Sequence, residues 1–321
     1  KWRGEVAEPV RRCISCNVCW HIIHGGRGML CIHNPEVGAE ADWLRKAAGE
    51  GHRATESAVK PVAEPSGATV GAAGSPNAGV RRLGRIVHVI GGGPAGMEVA
   101  WVAASRGLRV TLWERSDELG GQVRFLAAMP GLAEYGDLIR YQCQQLERYG
   151  VEVRLGQTVT LDLLTTWEDA VIVVATGSTA QAPPSCLAPL APLVPDSEAL
   201  LAVPPSQAGR AVVFDEDGSY YAYGPALLLA RRGWRVTLVT SRTDVGWGLD
   251  YLSRIGLNRR LRQHGVLVLT GFEAAEVTGE HVLLRDVFTG SERVCDRPDL
   301  AVWAGARAAR DDLWRLAAED P

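Results

Sequence analysis

Two hydrophobic periods alternate along this chain, and each switch marks an element. RIVHVIG (85–91) is a short, nearly continuous apolar run that stops at a glycine, the pattern of a buried strand. PAGMEVAWVAASRG follows with small residues along one side of a helical period, and LRVTLWE returns to strand character. YGDLIRYQCQQLERYG predicts an amphipathic helix leading into strand VEVRL, and AVIVVATG is a further strand closed by glycine. The Pro-rich run QAPPSCLAPLAPLVPDSEALLAVPPS breaks the rhythm and predicts an interdomain connection. Then the theme restarts with RAVVFDE, helix YGPALLLARRG and strand WRVTLVTS, with strand-like LVLTGFEAAEVTG, HVLLRDV and LAVWAGA after them. Strands alternating with helices predict an α/β fold of two Rossmann-like parallel-sheet domains, the second inserted in the first.

Ahead of this pattern the chain is different. Residues 1–46 carry a cysteine cluster and a short helical stretch, GAEADWLRKAAG. From Ala47 to Arg82 there is no Leu, Ile, Met or aromatic residue, too little apolar surface to repay ordering. The expected division is therefore a cluster segment (1–46) and an extended linker (47–84). A nucleotide-binding domain (85–200 and 297–321) then surrounds a second Rossmann-like domain without a glycine-rich loop (201–296).

Composition narrows the function classes. At 321 residues the chain suits two domains, and its net charge of −3 gives no reason to expect a nucleic acid partner. No apolar run approaches the roughly 18–20 residues that span a bilayer, so no membrane association is expected. The first residues, KWRGEVAEPVRR, are polar and show no secretory signal. Four of seven cysteines crowd into 13–31 while Cys143, Cys186 and Cys295 are scattered. A disulfide framework would spread its pairs, so a reducing, cytoplasmic compartment is expected.

The cluster reads Cys13-x2-Cys16-x2-Cys19-x11-Cys31. Three cysteines at two-residue spacing can wrap one loop around three corners of a cubane, with the fourth arriving from elsewhere. Zinc ribbons usually supply two separated pairs, so the spacing favours a [4Fe–4S] cluster over zinc or a disulfide set. With four thiolates present, packing or surface roles are expected for His21, His24 and His33.

Gly91-x-Gly93-x-x-Gly96 lies between a predicted strand and a predicted helix, the context that gives this short motif meaning. Gly91 allows the turn, Gly93 lets backbone approach a pyrophosphate, and Gly96 permits helix–strand packing. The helix N-terminus attracts phosphate charge. Glu114 ends the second strand 18 residues after Gly96, where a carboxylate would accept from ribose hydroxyls. An acid there disfavours a 2′-phosphate, so ADP, FAD or NAD fit better than NADP.

CISCNVC with its fourth cysteine, a linker, IGGGPAG, WERSDELGGQ and IVVATG occur in a fixed order. That order resembles the C-terminal half of the trimethylamine dehydrogenase, histamine dehydrogenase and 2,4-dienoyl-CoA reductase family. The resemblance implies an FMN-bearing TIM barrel with the substrate site, on another domain or subunit, and a cluster between FMN and the outer acceptor. It implies an ADP or FAD site built from Gly91, Gly93, Pro94, Ala95, Gly96, Glu114, Arg115, Gly121, Gln122, Ala175, Thr176 and Gly177. Two departures stand out: there is no barrel, and the family's later Gly-Asp turn and closing helix are missing. A portion of a larger enzyme, or a separate electron-transfer subunit, is expected. A homo-oligomer is expected too, with an electron-transferring flavoprotein as the kind of one-electron acceptor.

Three functions follow from these readings. The first is the electron-transfer part of an amine dehydrogenase or N-demethylase. The second is an NAD(P)H-dependent enoyl reductase with electrons flowing the other way. The third is a nucleotide-binding scaffold with a structural cluster. Against the second, strand RAVVF runs into Asp215-Glu216-Asp217-Gly218 with Ser219, Tyr220 and Tyr221 next. Carboxylates stand there where backbone amides would receive a pyrophosphate, and the tyrosines are expected to fill the space glycines would leave.

Overall fold

The computed structural model describes residues 10–40, 85–167, 169–190, 192–194, 197–202 and 208–319. The expected linker and all but the start of the helical stretch GAEADWLRKAAG lie outside the described residues. Helix α1 (Val18–His24) follows Cys13 and Cys16 and carries Cys19 in its first turn. The first Rossmann-like unit runs β1 (Ile86–Ile90), α2 (Pro94–Ser105), β2 (Arg109–Trp113), α3 (Val123–Ala127), α4 (Tyr135–Arg148), β3 (Glu152–Arg154), α5 (Leu161–Leu164) and β4 (Val171–Val174). Its four strands are parallel in the order β3-β2-β1-β4, with Val87 opposite Val110 and Val171. Strand order therefore reverses beside β1, which opens a crevice between the carboxyl ends of β1 and β4.

Local sequence explains the first turn. Gly93 caps α2 in extended conformation and Pro94 opens the helix, where its missing N–H costs nothing. Small residues on α2 let Met97 and Ala100 pack flush on Val87, Val89 and Leu112, with Leu146 of α4 closing the layer. Burying such side chains contributes on the order of 1.5–3 kcal/mol each.

Strand β5 (Ser178–Ala180) leads to the second unit: β6 (Leu193–Val194), α6 (Ser197–Ala202), β7 (Arg210–Asp215), α7 (Tyr220–Arg231), β8 (Arg235–Thr240), α8 (Tyr251–Gln263) and β9 (Leu267–Thr270). An antiparallel meander, β10 (Phe272–Val277), β11 (His281–Asp286) and β12 (Glu292–Asp296), precedes β13 (Leu300–Ala304). The chain returns through β14 (Arg307–Ala309), antiparallel to β5, and ends the described region in α9 (Asp312–Glu319). Leu313 of α9 packs against Ile90, Trp113, Val159 and Leu164 of the first unit, so the second unit is indeed inserted.

The boundary at residue 297 needs correction. β13 pairs with β7 and β6 in a five-stranded parallel sheet, order β6-β13-β7-β8-β9, and the return begins only at β14. LAVWAGA is apolar on both faces, so its pattern alone does not say which sheet it completes. LVLTGFEAAEVTG is likewise two strands, divided at Gly271, whose φ of +74° breaks the extended run.

In the acidic loop after β7 the first carboxylate is turned inward. Asp215 is fully buried and accepts the N–H groups of Asp217 and Gly218 at 3.1 and 2.7 Å and the Tyr223 hydroxyl at 2.7 Å. Trp247, and not Tyr220 or Tyr221, covers the turn: a Cβ on Gly218 would stand 2.2 Å from its ring. Burial pushes the Asp215 carboxyl up to about 6, against the pull of those three donors. Ionised at pH 7, it costs stability relative to the unfolded chain, and the cost fades as pH falls through about 6 toward 4. Asp215→Asn keeps an acceptor for the two amides and should remove this pH dependence, a difference of order 2–3 kcal/mol between pH 4 and pH 7.5. Urea midpoints of both proteins at the two pH values check it; parallel pH curves would refute it.

Candidate functional site

Three glycines shape the β1–α2 turn in different ways. Gly91 has φ +109°, and a Cβ there would meet the Ala175 carbonyl oxygen at 2.3 Å. A Cβ on Gly96 would stand 1.9 Å from the Gly91 carbonyl oxygen, so its absence sets the approach of helix to strand. A Cβ on Gly93 would meet nothing within 4 Å. That open side is the floor of a cleft of about 320 Å³ at the N-terminus of α2.

Eleven of the twelve expected nucleotide residues line that cleft: Gly91, Gly93, Pro94, Ala95, Glu114, Arg115, Gly121, Gln122, Ala175, Thr176 and Gly177. Gly96 lies behind the turn. Glu114 is buried at its edge, accepting from Gly92 N at 2.6 Å and Ser116 N at 2.8 Å. Each of its oxygens keeps another lone pair for a ligand hydroxyl. Gly121 (φ +50°) brings the second glycine turn against Gly93, where a Cβ would lie 3.0 Å from the Gly93 Cα. The Gln122 amide is fixed by the Ser178 carbonyl at 2.6 Å.

Sequence reasoning missed the far wall. Ser116, Val123, Arg124, Phe125, Ser178, Tyr221, Arg307 and Arg310 also line the cleft. Arg307 holds Ser178 Oγ and its carbonyl at 3.1 and 3.2 Å and stacks on Tyr221, 5.0 Å to the ring centre. Thr176 Oγ1 donates to the Arg310 carbonyl at 2.5 Å. Arg115, Arg124, Arg307 and Arg310 line the cleft with Glu114, and Arg124 is paired with Glu118 at 2.6 Å. Tyr221 comes from the first turn of α7 in the second unit and Arg307 from the returning strand β14, both far in sequence from the glycine turn.

The cysteines form a separate loop. Cys13 is exposed, Cys16, Cys19 and Cys31 are partly buried, and all four thiols are free. Among the described residues no three His, Cys, Asp or Glu side chains converge closely enough to hold a metal ion. The donor set nevertheless has the chemistry of thiolate ligands. The Ser15 amide donates to Cys13 Sγ at 3.3 Å, the Asn34 amide to Cys31 Sγ at 3.4 Å, and the Val18 amide to Cys16. Burial pushes the Cys16 thiol up, the Val18 amide pulls it down, and proximity to the other three thiols adds to the rise. Positive φ at Ser15 (53°) and Asn17 (60°) turns the chain twice between Cys13 and Cys19. Among the neighbouring histidines, His33 is buried and His24 stacks on Trp20 at 3.8 Å, as packing residues do.

The pyridine nucleotide-disulphide oxidoreductase family matches residues 86–319. This chain belongs to that family. Its relatives include an oxidase and a dehydrogenase. It is 28% identical to an NADH oxidase of Thermoanaerobacter brockii over 86% of this chain and 40% of that protein. It is 27% identical to a dimethylamine dehydrogenase of Hyphomicrobium sp. (strain x), over 82% of this chain and 34% of that one. The solved 6-hydroxypseudooxynicotine amine oxidase of Pseudomonas geniculata N1 superposes with a TM-score of 0.74 at 25% identity, covering 97% of this chain and 44% of that one. The likeness to amine dehydrogenases read from the motifs is thus borne out. The chain spans less than half the length of each of these proteins. No helix among the described residues is long and apolar enough to cross a membrane.

The glycine geometry separates binding from folding. Gly93→Val, placed in open space, should leave stability within about 0.5 kcal/mol while weakening ADP binding at least roughly tenfold, or about 1.4 kcal/mol. Gly96→Ala, pressed onto the Gly91 carbonyl, should instead cost stability, about 1–3 kcal/mol. Thermal unfolding and calorimetric ADP titration of both variants check this; unweakened binding in Gly93→Val would remove the cleft from consideration.

Proposed function

We propose that this chain is the electron-transfer portion of an iron–sulfur flavoprotein oxidoreductase, of the amine dehydrogenase or N-demethylase kind. The observation that carries the proposal is the cysteine segment's donor set: four free thiols within residues 13–31, with backbone amides already given to the sulfurs of Cys13, Cys16 and Cys31. Cys13, Cys16, Cys19 and Cys31 would hold a [4Fe–4S] cluster, which when bound carries one electron at a time. The Ser15, Val18 and Asn34 amides would stabilise negative charge on the sulfurs they reach.

The cleft would take the ADP moiety of ADP or FAD. The N-terminus of α2 and the open Gly93 would face the pyrophosphate, Glu114 the ribose hydroxyls, and the arginines of the far wall the remaining phosphate charge. FMN and the substrate would belong to a TIM barrel, on the same polypeptide or on another subunit. Electrons would leave to a one-electron acceptor such as an electron-transferring flavoprotein. Cytoplasmic residence and a homo-oligomeric assembly complete the reading.

A second reading, an NAD(P)H-dependent enoyl or dienoyl-CoA reductase, is favoured by the similarity to an NADH oxidase. Against it stands the crevice of the second unit, where Asp215 already occupies the amides that a dinucleotide phosphate would need.

Anaerobically purified full-length protein should contain about four irons per chain and release an adenine nucleotide on denaturation. Cys16→Ser should abolish the iron and leave the nucleotide. Stoichiometric zinc in place of iron, or protein that neither releases nor binds adenine nucleotide, would overturn the proposal.

A further inference from the structure

Arg11 stands two residues before Cys13 and His33 two residues after Cys31, so the two bracket the cysteine loop. The Arg11 guanidinium donates to the His33 carbonyl at 2.5 Å and, through its other terminal nitrogen, to Glu98 Oε1 at 3.0 Å. One side chain therefore both closes the loop and anchors it. Glu98 belongs to α2, whose first residues, Pro94 and Ala95, wall the nucleotide cleft. Its second oxygen accepts from Trp101 Nε1 at 3.0 Å and Gln142 Nε2 at 2.9 Å. Gln142 Nε2 also donates to the Pro94 carbonyl at 2.9 Å, inside that first turn. Tyr141 lies beneath the guanidinium, 4.4 Å to its ring centre.

This seam is mostly dry. The Arg11 and Glu98 side chains are 11% and 18% exposed, and beside them His33 Nε2 and Gln142 Oε1 are buried without a partner. Apolar packing would join loop to helix at a lower desolvation cost. A buried ion pair instead fixes which groups face each other, because a shifted register leaves a charge unpaired.

We propose that Arg11 is a positioning residue coupling the two sites. Through Glu98 and Gln142 it sets the cysteine loop against the phosphate-facing turn of α2, so that a nucleotide in the cleft holds the loop in its cluster-binding shape. The inference rests on the reading that the cleft takes an adenine nucleotide and the loop a cluster. Linkage is reciprocal, so a cluster on the loop must tighten nucleotide binding by the factor with which nucleotide favours the cluster-bearing loop.

The test uses the intact, anaerobically prepared protein, with ADP as the probe. ADP affinity is measured by calorimetry with the cluster present and after its removal, and iron loss to a chelator is followed with and without ADP. Wild type should bind ADP roughly 5- to 150-fold more tightly with the cluster in place, and should lose iron more slowly when ADP is bound. Arg11→Met should bring both ratios close to one while the ADP affinity of the iron-free protein holds. Glu98→Gln, which keeps the packing and an acceptor for Gln142, should show the same collapse and serves if Arg11→Met fails to fold. Ratios near one in wild type, or wild-type ratios in the variants, overturn the coupling. Protein that takes up neither iron nor ADP overturns the underlying reading as well; independent uptake of both removes the coupling alone.

Discussion

Helix α2 can cross the carboxyl end of β1 only because Gly96 has no side chain. With a Cβ 1.9 Å from the Gly91 carbonyl oxygen, the helix would have to lift away from the sheet. Two consequences depend on that contact. The N-terminus of α2 is held over the crevice between β1 and β4, where its unpaired amides and the open Gly93 define the cleft floor. The same helix presents Glu98 on its flank to Arg11, so the position of the cysteine loop is inherited from the packing of one glycine.

The two Rossmann-like units share a topology and differ in how they treat the first turn. In the first, the strand order β3-β2-β1-β4 leaves the amides of the turn facing a cleft, and the nearby carboxylate of Glu114 sits at its edge. In the second, β9-β8-β7-β13 repeats that order, but the turn carries its own anion. Asp215 takes the amides of Asp217 and Gly218, Tyr223 holds the carboxylate from behind, and Trp247 lies across Gly218. The amides of this turn are filled from within, at the desolvation cost that raises the Asp215 carboxyl.

Elements whose evidence is local were legible in the sequence. β1, α2 and β2 follow from adjacent runs of different period, and the spacing of Gly91, Gly93 and Gly96 fits the turn that forms. Features set by long-range packing were not legible. LAVWAGA is apolar on both faces, and only its contacts with β7 and β6 place β13 in the second sheet. Arg307 reaches the cleft of the first unit because β14 returns beside β5, a pairing of residues about 130 apart with no periodic signature, and Tyr221 meets it there from α7. The cysteine spacing was plain, whereas the role of Arg11 appears only once Glu98 is seen beside it. Asp215 read as one of three carboxylates opposing a pyrophosphate, because composition does not show that Tyr223 and two amides would bury it.

We propose a direction of flow: electrons enter this protein from a substrate as it is oxidised and not from a reduced pyridine nucleotide. Stopped-flow mixing of the intact oxidised enzyme with excess NADH, and separately NADPH, tests it most directly. The account predicts no bleaching of flavin or cluster absorbance over seconds, because the second unit's first turn already holds a carboxylate. Bleaching on that timescale with either nucleotide would contradict the account and establish the reductase direction.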